Sequence, residues 1–213
     1  MTRIPQHQRS AETVAKLLDA TLDLLHDRGL ARLSTADIAK SAGVSRGALT
    51  HHFDSKEAII ADAVIRQLRA CTAALHDRAN SIRRNGGSSD ELVDYIWRMI
   101  NDRLFYVTVE YLPEARHNSG FRHGIMLAVK EFHEGLNTVW RDLAEKSGVE
   151  VERALVLMNA TVGLMRGMIA QTTVKDDPSY FATLLAFRKD QVQREFRASY
   201  ADPASRLTTV HAQ

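Results

Sequence analysis

A block near the N-terminus carries the side chains best suited to bind nucleic acid, and it reads LSTADIAKSAGVSRGALTHHF from Leu33 to Phe53. Hydrophobic spacing predicts a short helix from about Thr35 to Ser41 and a second that Ser45 caps and that ends near His52. Gly43 lies in the turn between them and tolerates positive φ. Two short helices joined by such a turn are typical of a helix-turn-helix.

The second predicted helix presents small and hydrogen-bonding side chains, which suit a helix lying in the major groove of DNA. Arg46 can bind guanine O6 and N7 in a bidentate contact, while Gly47 and Ala48 let the helix lie close. Thr50 can meet a thymine methyl group or a phosphate. The predicted DNA-binding residues are Thr35, Ser45, Arg46, Gly47, Ala48, Thr50, His51, His52 and Lys56.

Over about residues 10 to 65 the sequence resembles the tetracycline-repressor (TetR) family of transcriptional regulators. The positions that carry the resemblance are Thr35, Ile38, Ala39, Ala42, Gly43, Val44, Ser45, Gly47 and Leu49, followed by Phe53, Ser55, Lys56 and Glu57. It implies an all-helical homodimer, a C-terminal ligand pocket, a phosphate contact from Lys56, and repression relieved by a small molecule. Family members commonly carry tyrosine where this chain has Thr50, so we expect His51 or Arg46 to carry more of the contact.

Composition limits the possible classes of protein. The chain has 213 residues, 45% hydrophobic and 25% charged residues and a formal net charge of +2, so a few placed groups would have to bind DNA. The single cysteine, Cys71, excludes an intrachain disulfide and a cysteine-based zinc finger. We expect a cytoplasmic protein, because we find neither a signal peptide nor a stretch of about 18 unbroken apolar residues.

Helical periodicity dominates the whole chain, so the predicted fold class is all-α with about nine helices. An N-terminal helix-turn-helix domain is predicted over residues 1–56 and a helical effector-binding and dimerisation domain over residues 57–213. An exposed loop is predicted at residues 83–90. The remaining predicted helices span residues 11–28, 55–80, 89–112, 121–147, 150–173 and 178–197, with a short piece at 114–118 that resembles the sixth helix of many family members.

Residues 154–170 are apolar on almost every side, so a helix there needs cover on both faces. One chain of this size can cover one face, and a second copy would cover the other through a four-helix interface with the final helix. A buried core helix in a monomer is the alternative. The predicted interface residues are Gly163, Gly167, Phe181, Leu184, Leu185, Arg188 and Val192.

Aromatic and methionine residues in the C-terminal part indicate either plain core or a pocket for a mostly apolar small-molecule effector. Arg166 is the one charge in an apolar run, and it would bind an anionic ligand or pair with a carboxylate across an interface. The predicted pocket residues are Trp97, Phe105, Tyr106, Arg116, Met126, Trp140, Met165 and Arg166.

Enzymatic function is not indicated, since the chain lacks a glycine-rich phosphate loop, Gly-x-Ser-x-Gly and His-Glu-x-x-His. Glu114-x-x-His117 is a single copy of a motif that a di-iron bundle needs twice, and the adjacent His51 and His52 point about 100° apart on a helix. We therefore predict no catalytic residue, cofactor or metal. An architectural or division-linked DNA-binding protein without an effector, and a helical-bundle metalloenzyme, are the alternative functions.

Overall fold

The computed structural model describes residues 6–102, 115–172, 174–175 and 177–201. These residues form helices and turns, with no strand among them, which confirms the all-α prediction. A 3₁₀ turn at Leu30–Arg32 separates the first two helices, and residues 115–117 form one helical turn. The helices are α1 (Gln6–Arg28), α2 (Thr35–Ser41), α3 (Arg46–His52), α4 (Lys56–Asn85), α5 (Ser89–Ile100), α6 (Ser119–Ser147), α7 (Val151–Thr172) and α8 (Pro178–Ala201).

Several helix boundaries differ from the sequence prediction. α1 begins at Gln6 instead of residue 11, because polar residues with good helix propensity extend it beyond the apolar stripe. α4 continues to Asn85, so the predicted loop at 83–90 shrinks to residues 86–88. The last turn of α4 is packed, since Ile82 is fully buried and Arg83 donates to the Asp142 carboxylate at 2.9 Å. The prediction of one helix over residues 89–112 is wrong at its end, because α5 ends at Ile100 and Asn101 caps it.

The described residues within 1–70 and 102–131 make up the first of two compact units. Its described part contains α1, α2, α3, the first half of α4 and the start of α6. Apolar positions of α1 recur at steps of three and four, which turns one stripe toward the core. Arg66 of α4 donates to the Ala15 carbonyl at 3.4 Å and forms an ion pair with Asp19, which fastens α4 to α1.

The described residues within 71–101 and 132–213 make up the second unit, so residues of α4 and α6 contribute to both units. Trp140 is fully buried in this unit, with its ring 6.2 Å from that of Phe196. Lys189 of α8 donates to Asp94 of α5 at 2.8 Å. The described core of the second unit therefore joins α5, α6, α7 and α8. The domain boundary between residues 56 and 57 stays a prediction.

One face of α7 is apolar and uncovered in the single chain. Val156 is 68% exposed, and Ala160, Gly163 and Gly167 follow it on the same face and are also exposed. Among the described residues, α7 is the one helix that is long and apolar enough to span a membrane, with a mean hydropathy of 1.2 and 39% of its apolar window buried. Because α7 packs against α5 and α8, we interpret it as a core helix with an open side.

Three of the predicted interface residues make contacts within their own chain. Val192 is fully buried and Phe181 nearly so, which places both in the core of their own subunit. Arg188 donates to Thr161 Oγ1 at 3.0 Å and to the Leu157 carbonyl at 2.9 Å, and burial lowers the pKa of its guanidinium. Leu184 and Leu185 are half-buried. The exposed residues of α8 are Tyr180, Thr183 and Phe187, among others.

Candidate nucleic-acid interface

Local hydrogen bonds define the two short helices. The Ser34 hydroxyl accepts the Asp37 N–H at 3.1 Å and caps α2, and the Ser45 hydroxyl accepts the Ala48 N–H at 3.1 Å and caps α3. Gly43 has a φ of 66°, a value that favours glycine, and the next N–H, of Val44, donates to the Ala39 carbonyl at 3.0 Å. The predicted Ser45 cap and the turn glycine of the helix-turn-helix are confirmed.

A small apolar core holds α2 and α3 together. Ile38 is fully buried, and Ala39 and Leu49 are each 2% exposed. Ala39 has the small side chain that two crossing helices need, and Phe53 closes the core after α3. Since the inward positions of α3 are committed to this core, its other positions remain at the surface.

The open face of α3 consists of Arg46, Gly47, Thr50 and His51, while Ala48 and His52 are half-buried. The Thr50 hydroxyl lies 3.2 Å from the carbonyl oxygens of both Arg46 and Gly47, so it can donate to the helix backbone. A Cβ on Gly47 would meet only Ser45 Oγ, at 3.9 Å. The protein itself therefore does not require glycine there.

Two predicted DNA-binding residues flank α3 at the starts of neighbouring helices. Thr35 is the first residue of α2 and is half-buried. Lys56 is the first residue of α4, and its ammonium group donates to the Leu30 carbonyl at 3.2 Å. One of the three N–H groups of Lys56 is thus used inside the protein, and two are left for a ligand.

The charge on α3 suits an anionic partner, because it carries one arginine and two histidines and no carboxylate. The nearest acid of α2, Asp37, accepts a hydrogen bond from Ser34 and lies 3.7 Å from the Arg28 guanidinium. An exposed helix with donors and no acid can approach a phosphate-lined groove without like-charge repulsion.

Comparison with known proteins identifies this arrangement. The family model described as "Bacterial regulatory proteins, tetR family" matches residues 17–63, which include α2, the turn and α3. Over these residues the chain is similar to the TetR family of regulators. HTH-type transcriptional regulator CymR of Pseudomonas putida is 24% identical over 179 residues, which cover 84% of this chain and 88% of CymR. The chain is thus similar to DNA-binding transcriptional regulators, and the similarity includes the helix-turn-helix.

Solved structures share the whole fold. A proposed TetR-family regulator from Mesorhizobium loti MAFF303099 superimposes with a TM-score of 0.69 at 13% identity, over 91% of this chain and 97% of that one. FadR from Bacillus subtilis, in complex with stearoyl-CoA, gives a TM-score of 0.60 at 16% identity, over 83% of this chain and 95% of FadR. At these identities the likeness shows the fold alone.

The predicted effector-pocket residues are divided between the two units. Trp140 and Met165 are fully buried in the second unit, where Trp97 and Arg166 are half-buried. Arg116 and Met126 belong to the first unit and are exposed. Phe105 and Tyr106 lie outside the described residues. The effector pocket therefore stays a prediction.

The described part of the chain offers no metal site, since no group of three or more His, Cys, Asp or Glu residues there could hold an ion. His51 and His52 contact each other edge to face, with ring centroids 5.1 Å apart, at the end of α3. Glu114 of the Glu114-x-x-His117 sequence lies outside the described residues.

Proposed function

We propose that this protein is a transcriptional repressor that binds a palindromic operator as a homodimer and is released by a small-molecule effector in the cytoplasm. The observation that carries the proposal is the exposed, acid-free face of α3 on a helix-turn-helix with a buried core. In such dimers the two recognition helices lie roughly 34–36 Å apart and enter successive major grooves.

Within each half-site, Arg46 is the residue proposed to read a base. It is exposed at the start of α3, where a guanidinium can bind guanine in the bidentate manner. Because the Thr50 hydroxyl is bonded to the helix backbone, its methyl group is the part proposed to contact thymine. Ser45, Thr35, His51, His52 and Lys56 are proposed to contact phosphates, and Gly47 and Ala48 to allow the close approach.

The homodimer is proposed to form through the open faces of α7 and α8. Val156, Ala160, Gly163 and Gly167 expose small apolar surface on α7, and Phe187 is 55% exposed on α8. Small residues allow two helices to approach closely, and exposed apolar surface favours association. Two copies of this helix pair would form a four-helix interface.

The effector is proposed to be a mostly apolar small molecule held among the aromatic and methionine side chains of the C-terminal domain. FadR, which has a similar fold, is in complex with stearoyl-CoA. In the described part of this chain, the indole N–H of the fully buried Trp140 has no hydrogen-bond partner, so it is free to donate to a polar group of a ligand. For release, the effector must bind the DNA-incompetent state better than the DNA-binding state.

A footprint on the DNA upstream of the protein's own gene tests the proposal. We expect a protected palindrome with two half-sites about one helical turn apart, and loss of protection when an extract of cell metabolites is added. Protection that depends on sequence but resists every extract would support DNA binding without an effector. Absence of any sequence-dependent protection on genomic fragments would contradict the proposed function.

Replacing Arg46 with alanine is expected to weaken operator binding by about 1–3 kcal/mol and to relax the preference for one base pair in each half-site. Arg46 has no ion pair among the described residues, so thermal unfolding should not change. The measurement is fluorescence anisotropy with the operator and its single-base variants.

Lys56→Ala provides the comparison for Arg46→Ala. This change should weaken binding to all duplexes alike and flatten the salt dependence, since a phosphate contact carries no base preference. If Arg46→Ala leaves both affinity and base preference unchanged, the assignment of Arg46 is wrong.

A further inference from the structure

A polar groove lies between α1 and the end of α3. Its volume is about 390 Å³, and it is open to solvent along one side. All of its lining side chains carry hydrogen-bond donors or can be protonated, and none is a carboxylate. The lining residues are Gln6, Arg9, Ser10, Thr13, His51 and His52.

Arg9 is the permanent charge in this groove. Its side chain is exposed, and among the described residues it forms no ion pair. The Thr13 hydroxyl donates to the Arg9 carbonyl at 2.9 Å, an ordinary contact within α1 that leaves the guanidinium uncommitted. A cation without a counter-ion beside two histidines gives the groove a positive potential that favours an anion.

The position of the groove indicates which anion it would meet. His51 and His52 form the last turn of α3, the helix proposed to lie in the major groove. The seven residues of α3 span roughly 10 Å, and the major groove is about 12 Å wide. With the axis of α3 crossing the groove and its first turn at the base edges, the last turn lies near the row of phosphates that borders the groove.

We propose that this groove binds a phosphodiester of the operator backbone, with Arg9 as its charged ligand and Gln6, Ser10 and the two histidines as hydrogen-bond partners. The proposal rests on the proposed DNA-binding function and adds α1 to the DNA-contacting surface. Free inorganic phosphate carries the same chemical group as the DNA backbone, so it is the alternative ligand of the groove.

The test compares Arg9→Gln with Lys16→Gln. Both residues are exposed on α1 and both changes remove one positive charge, but Lys16 lies seven residues further along and does not line the groove. Affinities for the operator and for a random-sequence duplex are measured between about 50 and about 200 mM salt. Thermal unfolding of each variant checks the fold.

We expect Arg9→Gln to weaken binding to both duplexes by the same factor, at least about threefold, and to reduce the slope of log K against log salt by about 0.9 per subunit. Lys16→Gln should leave the slope unchanged. Equal slopes for wild type and Arg9→Gln, or equal losses for both variants, would overturn the groove assignment while the DNA-binding function stands. A wild-type protein that shows no preference for the operator would overturn both.

A titration with inorganic phosphate at constant ionic strength distinguishes free phosphate from the DNA backbone as the ligand of the groove. Chemical shifts of His51 and His52 should move on adding the duplex and stay constant on adding millimolar phosphate. The proposal would be contradicted by two results together. Phosphate would cause saturable shifts that Arg9→Gln abolishes, and Arg9→Gln would leave the affinity for the duplex unchanged. The groove would then bind a free anion.

Discussion

Replacing Gly47 with leucine is expected to abolish operator binding while leaving the free protein folded. In the protein, a side chain at this position meets only Ser45 Oγ at 3.9 Å, so nothing within the subunit opposes it. Glycine within a helix costs up to about 1 kcal/mol relative to residues such as leucine, so the variant should unfold at an equal or higher temperature. On DNA, four added carbon atoms would occupy the space between α3 and the base edges.

Gly47→Ala gives the graded comparison for this prediction. One added methyl group should cost less affinity than leucine, and we expect the leucine variant to bind at least about 100-fold more weakly, which corresponds to about 2.7 kcal/mol. The measurement is the dissociation constant for the operator, together with thermal unfolding of each variant. If Gly47→Leu binds within about twofold of wild type, the exposed face of α3 does not approach the bases.

The double change Gly163→Leu with Gly167→Leu is expected to convert a dimer into monomers. Both glycines are exposed on α7, and a Cβ at either position meets no atom within 4 Å. The substitutions are therefore harmless within one subunit and should raise its helix stability by up to about 1 kcal/mol each. Between two subunits, four new leucine side chains would hold the helices apart, and overpacking costs about 1–3 kcal/mol a site.

Sedimentation velocity at micromolar concentration measures this effect, and we expect the dissociation constant of the dimer to rise at least about 100-fold. Glu145→Leu, which adds an apolar side chain at an exposed position of α6, is the control and should leave the mass unchanged. A wild-type protein that sediments as a monomer, or glycine variants that are more stable and still dimeric, would contradict the interface on α7.

The helix-turn-helix could be predicted from sequence because each of its determinants is local. Ser34 and Ser45 cap helices through N–H groups three residues away, and Gly43 takes the positive φ that its neighbours avoid. Short-range hydrogen bonds and backbone preferences depend little on the rest of the fold. The bounds of α2 therefore agree with the prediction to the residue.

Which face of the final helix, α8, is buried could not be predicted in the same way. Val192 and Phe187 are both apolar residues of α8, yet the first is fully buried and the second is 55% exposed. Periodicity identifies the apolar positions of a helix. It does not show which of two apolar sides of the helix is buried within the same subunit. That choice depends on long-range packing, as in the hydrogen bonds that fix Arg188 against α7.

The groove between α1 and the end of α3 could not be predicted from the sequence for a related reason. Arg9, Ser10 and Thr13 recur at helical spacing, which is a weak sign of a polar face on one helix. Their relation to His51 and His52, some forty positions away, exists only after α1 and α3 have packed together. A functional surface assembled from two such segments has no signature in either of them.

The hydrogen bond from Lys56 to the Leu30 carbonyl has a thermodynamic consequence for recognition. A free lysine loses up to about 2 kcal/mol of rotamer entropy when it is immobilised, and that loss ordinarily weakens binding. In this protein the side chain is half-buried and already restrained, so the loss accompanies folding instead of complex formation. The ammonium group is therefore already positioned before the proposed contact with DNA forms.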